Sequence, residues 1–525
     1  MVAPAEGAAR GGPLAAGVAV LIVAAVVPLA LLQLPNLLAT ELPASALARM
    51  AGHGSVVGLV RASGLALPVM ACVAPVAAVL ARRRRAWPVL LAGLLAIGAA
   101  DLLADSVHSA LTIGADRALH GLGAGFALPA TLALAWERPP RWCRLLARWW
   151  VVVMVISLFG VVPVMRDRLA GGDWRAALQP FPWLTAVGLA ATALYVALAG
   201  GAGRQTRSAV TPAERSQLAL LAVPVLGLGA LDVGVSNQNS RSVAVAAGVA
   251  VVVLAALAMV TSSDPVTGGA RLAAETPDGR RARRRRLCFP LIAACAGFAL
   301  GPTLGQIATL RPLAGGPDPA LRSLWLPLAA AVAGCLLGTA VAWLTGRHAA
   351  RQQGDGRTSR AGAHAARHKS TKETRSNGGR GPLACVIVGL ICAAAGLAIA
   401  HVAGPAGGQH ELAVAYALIA GGLTLALSAA VAEATPAGAM SGVSLSLAGA
   451  LTGYLLAGAI QIRMVGALAS SSIQAQLGSR AVAQALTRAA NWWDVAAAAG
   501  AVVAAAGVFL IGRARRGPEE VASRG

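Results

Sequence analysis

The chain is poor in charge, poorer in acid than in base, and almost without lysine. Only 12% of its 525 residues are charged, about half of the roughly 25% that a soluble globule carries, which excludes a water-soluble globular protein. Forty-four basic residues stand against 21 acidic ones, giving a net charge of +23, and only two of the basic residues are lysine. No recognisable nucleic-acid module accompanies this charge, so nucleic acid is not the expected partner. Anionic lipid headgroups are, because Lys and Arg beside a membrane are drawn to them. The seven cysteines form no CxxC pair, so neither a disulfide framework nor a zinc site is expected. The stretch "HGLGAGF" fails as a dinucleotide fingerprint because Phe126 stands where the third glycine belongs. Without a nucleotide loop, a metal set or a soluble catalytic constellation, the expectation is a protein that is not an enzyme and has no cofactor.

What the chain has instead is apolar length. Hydrophobic residues make up 57% of it, and windows of about 20 apolar residues, the length that spans a bilayer as a helix, recur along it. Spans are expected near 14–33, 55–80, 87–108, 111–135, 149–165, 180–200, 216–235, 242–261, 288–308, 323–345, 382–403, 411–432, 438–462 and 491–512. Segments of this length exclude a β-barrel, whose strands need only about 9–11 residues. With the N-terminus inside, the cytoplasmic segments hold about three times as many Lys and Arg as the opposite loops, as the positive-inside rule requires. The expectation is therefore a multi-pass protein of the inner (plasma) membrane with both termini cytoplasmic. Trp87, Trp136, Trp149, Trp150, Trp183 and Trp493 fall near expected span ends, as an interfacial aromatic belt would place them.

Arg117 opens the pattern R-x-x-H-G-x-G-x-G with Pro129 downstream, and Gly121 and Gly125 are four apart, a small-residue face that admits a close neighbouring helix. This stretch, "DRALHGLGAGFALPATLAL", resembles the fourth-helix motif of the major facilitator superfamily, especially its fourteen-helix drug:proton antiporters. In that resemblance Arg117 takes the place of the motif arginine implicated in proton coupling, His120 that of the usual glutamine, and Gly121 that of the glycine. "VLARRRRAWPVLL" is similar to the family's basic loop between helices two and three, and "GGDWRAAL" to the loop before helix six. The departures are Arg82 and Arg85 at the basic loop's aspartate and glycine positions, Leu34 at an aspartate position of the first helix, and Gly160 and Pro163 set apart in "FGVVPVM". The resemblance implies an all-α polytopic fold of the major-facilitator type with about 14 transmembrane helices in a 6+2+6 arrangement.

Charged residues inside spans need a reason, since hydrocarbon admits them only when they face protein, water or a partner. Asp101, Asp105 and His108 lie at i, i+4 and i+7 of span three, one face of a helix. Span four, joined to it by a very short connection, brings Asp116, Arg117 and His120 to a comparable depth. Two readings stay open for this group: a proton relay, or a permanent ion-pair lock between two helices. His120 has its own alternative as a hydrogen-bonding core residue. Arg61 either snorkels to the headgroups or lines a cavity, with Glu41 as its nearest acidic partner.

The expected organisation is a six-helix bundle over 1–200, two inserted helices and a basic loop over 201–286, a second six-helix bundle over 287–512 and a tail over 513–525. Within the second bundle, 347–380 is polar and rich in Arg, Ser and Gly, the composition of a disordered cytoplasmic loop. His364 and His368 in it have no third ligand. The loop between the last two spans has helix-like apolar spacing and is expected on the membrane surface. The resemblance implies secondary active transport, proton-coupled export of a small amphipathic compound such as a drug or secondary metabolite, with the small-molecule substrate, protons and the bilayer as partners. The alternative is a transport-deficient scaffold that recruits partners through its basic cytoplasmic loops.

Overall fold

In hydrocarbon every backbone N–H and C=O must be satisfied within the chain, and runs of Ala, Leu, Val and Gly do so as helices. The computed structural model of the chain describes residues 12–33, 62–169, 181–199, 221–223, 225–227, 240–263, 288–313, 324–362, 381–404, 407–469 and 479–513. In chain order the helices are α1 (Gly12–Leu31), α2 (Ala66–Arg83), α3 (Ala86–Leu103), α4 (Ala110–Trp136), α5 (Pro140–Leu169), α6 (Pro182–Ala199) and α7 (Ser240–Ser263). They continue with α8 (Cys288–Leu313), α9 (Trp325–Gly362), α10 (Gly381–Ala403), α11 (Gln409–Val431), α12 (Pro436–Ala469) and α13 (Ser479–Arg513). Helical residues 221–223 and 225–227 mark the expected seventh span. Ten of the helices are long and apolar enough to cross a bilayer, three more have shorter apolar stretches, and no strand occurs among the described residues. The protein is an all-α, polytopic membrane protein with a fold of the major-facilitator type.

Packing repeats itself along the chain. In the first half α4 is the central helix, contacting α2 and α3, while α1 packs on α5 and α6. In the second half α11 plays that part toward α9 and α10, while α8 packs on α12 and α13. Each central helix is the fourth of its six. Glycine makes both approaches possible. A Cβ on Gly123 would stand 2.6 Å from the carbonyl oxygen of Gly93 in α3, and one on Gly93 would stand 2.7 Å from the carbonyl of Gly123. Gly125 faces the Met70 carbonyl of α2 at 2.9 Å from such a Cβ, and Gly121 abuts Ala66 of the same helix. In α11, Gly422 and Gly389 of α10 block each other in the same reciprocal way, and Gly421 faces Gly334 of α9. Pro129 lies buried within α4. The halves meet where α2 packs on α12 and α5 on α11, including an edge contact between the rings of Phe159 and Tyr416 at 4.8 Å. α7 lies against α12 and α8.

Four expectations change. The helix of span three ends at Leu103 and tightens into a 3-10 turn over Ala104–Ser106. Ser109 then caps α4 by accepting from the Thr112 N–H at 3.2 Å, so Asp105 and His108 sit exposed in a turn instead of sharing a helix face with Asp101. α9 runs on to Gly362, so the segment from Arg347 begins as helix where composition implied disorder; Arg347 lies 4.1 Å over the Trp343 ring, and Ala, Arg and Gln favour helix. The apolar spacing between the last two spans belongs to α12, continuing to Ala469, and α13, starting at Ser479. α5 and α13, which begin earlier than expected, also move two tryptophans out of the expected belt: Trp150 and Trp493 are fully buried, their indole N–H groups donating to Thr131 at 3.0 Å and Thr303 at 2.9 Å. Gly404, with φ of 62°, ends α10 in the left-handed conformation glycine tolerates.

The glycine contacts carry a test. Gly123→Ala forces backbone or Ile97 to move and should lower stability by about 1–3 kcal/mol, the usual cost of overpacking. Gly160→Ala, which meets nothing within 4 Å, should leave it unchanged. Thermal melting of the two purified variants in detergent, beside the unaltered chain, checks both.

Candidate functional site

α4 carries Asp116, Arg117 and His120 on its second and third turns, and all three are buried, with 4%, 4% and 0% of their surface exposed. A buried guanidinium needs acceptors, and Arg117 finds them on two other helices' ends. Its Nη1 donates to Oε1 of Gln33 at 2.8 Å, its Nη2 to the Gln33 carbonyl at 2.8 Å, and its Nε to the Ser63 carbonyl at 3.1 Å. Gln33 follows the last turn of α1 and Ser63 precedes α2, so one side chain ties both to α4. A planar fork with five donors suits this use better than an ammonium would.

His120 bridges in the other direction. Its Nε2 lies 3.2 Å from Oδ1 of Asp101 on α3, while Nδ1 lies 3.1 Å from the Asp116 carbonyl and 3.4 Å from Asp116 Oδ2. Thr185 on α6 donates to the second oxygen of Asp101 at 2.9 Å. Five helices, α1 to α4 and α6, thus meet at one polar cluster.

The hydrogen bonding fixes how many protons this arrangement holds. Both groups facing Nδ1 are oxygens that accept, so Nδ1 carries a hydrogen. The Nε2 to Oδ1 contact then needs a second proton, on the imidazole or on the carboxyl. With it, Arg117, Asp116, Asp101 and His120 together carry no net charge; without it they carry one negative charge, and two lone pairs face each other. A cluster removed from water favours neutrality and full pairing. Releasing that proton removes the hydrogen bond between His120 and Asp101 and leaves Asp101 accepting from Thr185.

Asp101, Asp116, Arg117 and His120 are therefore brought together, Asp105 is not, and Arg61 and Glu41 lie outside the described residues. Gln33, Ser63 and Thr185 went unread in the sequence. Gln33 had a signal: it is the only side chain with a hydrogen-bonding group between Pro13 and Leu34. Ser63 contributes a carbonyl, which no side-chain pattern announces.

A second feature lies between the halves. A cavity of about 50 Å3 is enclosed by α1, α4 and α5 on one side and α8 and α12 on the other, with Leu31, Leu128, Trp150, Leu300, Ser446 and Tyr454 among its walls. Leu31 is two residues from Gln33, and Leu128 is two turns, about 12 Å, along α4 from His120. At the opposite end of α4, Glu137 accepts from the Ala86 N–H at 2.7 Å and the Tyr195 hydroxyl at 3.0 Å, with Arg138 over the Tyr195 ring at 4.6 Å. That carboxylate pins the starts of α3 and the end of α6 to α4. Among the described residues no group of His, Cys, Asp and Glu could hold a metal ion.

No family model matches the chain, and no curated protein does. Solved structures do. An auto-inhibited peptide transporter of the POT family aligns at a TM-score of 0.56 and 15% identity, over 96% of this chain and 97% of that one. The POT family transporter PepTSo aligns at 0.55 and 14%, over 97% and 99%. A POT family transporter in complex with 5-aminolevulinic acid aligns at 0.54 and 11%, over 96% and 97%. At such identities the likeness establishes a shared fold, along nearly the whole of each chain. These neighbours are POT family transporters, the first of them a peptide transporter, and that finding overturns the expectation of a drug:proton antiporter working as an exporter. The chain has the fold of POT family secondary transporters.

Proposed function

We propose that the protein is a secondary active transporter that takes up a small organic solute together with protons, by alternating access of a path between residues 1–200 and 287–512. One observation carries this reading: a buried, protonatable cluster of Arg117, Asp116, Asp101 and His120 inside a transporter fold. The proton shared by His120 and Asp101 is the coupling proton. When it leaves, the hydrogen bond between His120 and Asp101 is lost, and Arg117 hands the change to the ends of α1 and α2 through Gln33 and Ser63. Leu31 of α1 and Leu128 of α4 bring two of these helices to the cavity wall, so solute and proton act on shared elements. Each ligand shifts the balance of the two open states only by its unequal affinity for them. The proposed setting is a plasma membrane with both termini in the cytoplasm, which the arginine distribution supports.

Proteoliposomes with an alkaline interior should accumulate labelled dileucine or its end-capped analogue, N-acetyl-dileucine amide, above the level without a gradient. Accumulation driven by an acidic interior, or insensitive to the gradient, overturns uptake by symport. His120→Gln, which hydrogen-bonds but cannot carry the proton, should reduce gradient-driven accumulation about tenfold, within the range of ordinary coupling energies, while exchange of solute at equal pH persists. Arg117→Ala should lower the melting temperature by removing about 3–5 kcal/mol, as breaking a buried charged group's pairing does; a loss below 1 kcal/mol in the same melts would show the cluster is not paired as described.

A further inference from the structure

The chemistry of the cavity between the halves selects among solutes, an inference that rests on the transport reading above. Its described walls are aliphatic and aromatic, and none of them is Arg, Lys, Asp, Glu or His. The polar atoms close by are already used: the indole N–H of Trp150 donates to Thr131 at 3.0 Å, and the Thr131 hydroxyl donates to the Leu128 carbonyl at 2.8 Å. Ser446 and Tyr454 supply the only side-chain hydroxyls among the described walls. On the far wall α8 and α12 touch through backbone, since Gly297 leaves no room for a Cβ against Ser446 and a Cβ on Gly301 would lie 3.2 Å from the Tyr454 ring. That wall is held by its backbone and keeps its shape. In the present arrangement about 50 Å3 is left, space for only a few waters, so the halves have closed on one another over an apolar surface.

We infer that this cavity is the solute site and that it takes an uncharged, apolar solute, held by contact with Leu31, Leu128, Trp150 and Leu300 and oriented by the hydroxyls of Ser446 and Tyr454. A free ammonium or carboxylate would meet no opposite charge among the described walls, and burying such a group unpaired is expensive. The same walls welcome the solute once its ends are blocked. Selectivity of this kind is set by what the pocket leaves unpaired as much as by what it contacts.

Calorimetric titration of the full chain in lipid nanodiscs tests this with two probes, N-acetyl-dileucine amide and free dileucine at neutral pH. The blocked probe should bind at least about tenfold tighter, the step that each 1.4 kcal/mol represents. Ala450→Leu, which fills the cavity from α12, should abolish that binding while the protein stays monodisperse. Leu300→Ala, which widens it, should shift preference toward a blocked dipeptide with bulkier side chains, and this variant keeps the test decisive if the first does not fold. Equal or tighter binding of the free dipeptide, binding of neither probe, or blocked-probe binding that survives Ala450→Leu overturns the inference. Binding as expected with no gradient-driven accumulation in vesicles would overturn the transport reading and leave the site standing.

Discussion

A positive charge inside hydrocarbon must be answered by protein, and the answer given to Arg117 organises the first half of this molecule. Its guanidinium takes two acceptors from Gln33 and one from Ser63, so the ends of α1 and α2 are located by their obligation to it. Behind it, Asp116 and Asp101 balance the charge, and His120 spans the gap between them. Remove water from four such groups and their protonation, their positions and the helices that bear them become one variable. A transporter needs that equivalence, because a proton can then do mechanical work at a distance.

The second half holds no counterpart to this cluster among its described residues, yet it repeats the packing. α4 and α11 each sit fourth in their set of six and press against the second and third helices through glycines that meet backbone. Repeated halves with a path between them are the plan on which many secondary transporters are built. The polarity is divided unequally over that plan: Asp101, Asp116, Arg117 and His120 gather inside the first half, and the described walls of the cavity between the halves carry no Arg, Lys, Asp, Glu or His. In the proposed mechanism proton and solute occupy separate places, joined by α1 and α4.

Much of this was legible from residues alone, and the failures have physical causes. Apolar windows placed the helices because backbone satisfaction in lipid permits little else. Gly121 and Gly125 announced a close contact, and Arg117 announced a partner. The i, i+4, i+7 spacing of Asp101, Asp105 and His108 misled because periodicity assumes an unbroken helix, and Ser109 with Thr112 supplies a cap that ends the preceding one early. Trp150 and Trp493 looked interfacial only while their helices were thought to begin near them. Gln33 and Thr185 escaped notice since an amide or hydroxyl acquires its meaning from a partner on another helix. The resemblance to fourteen-helix antiporters identified the fold correctly and the transport direction wrongly: glycine spacing records how helices pack, and that packing is common to many transporters.

Contacts of glycine with backbone contain no rotamers. The joints of α4 with α2 and α3, and of α11 with α9 and α10, therefore depend little on side chains that could soften as temperature or ligand changes, and each half behaves as a stiff block. The face between the blocks is made of Leu, Met and Trp, whose side chains retain several torsional states. Stiffness and compliance are thus allotted to different residue types: glycine makes the levers, and large apolar side chains make the bearing on which they turn.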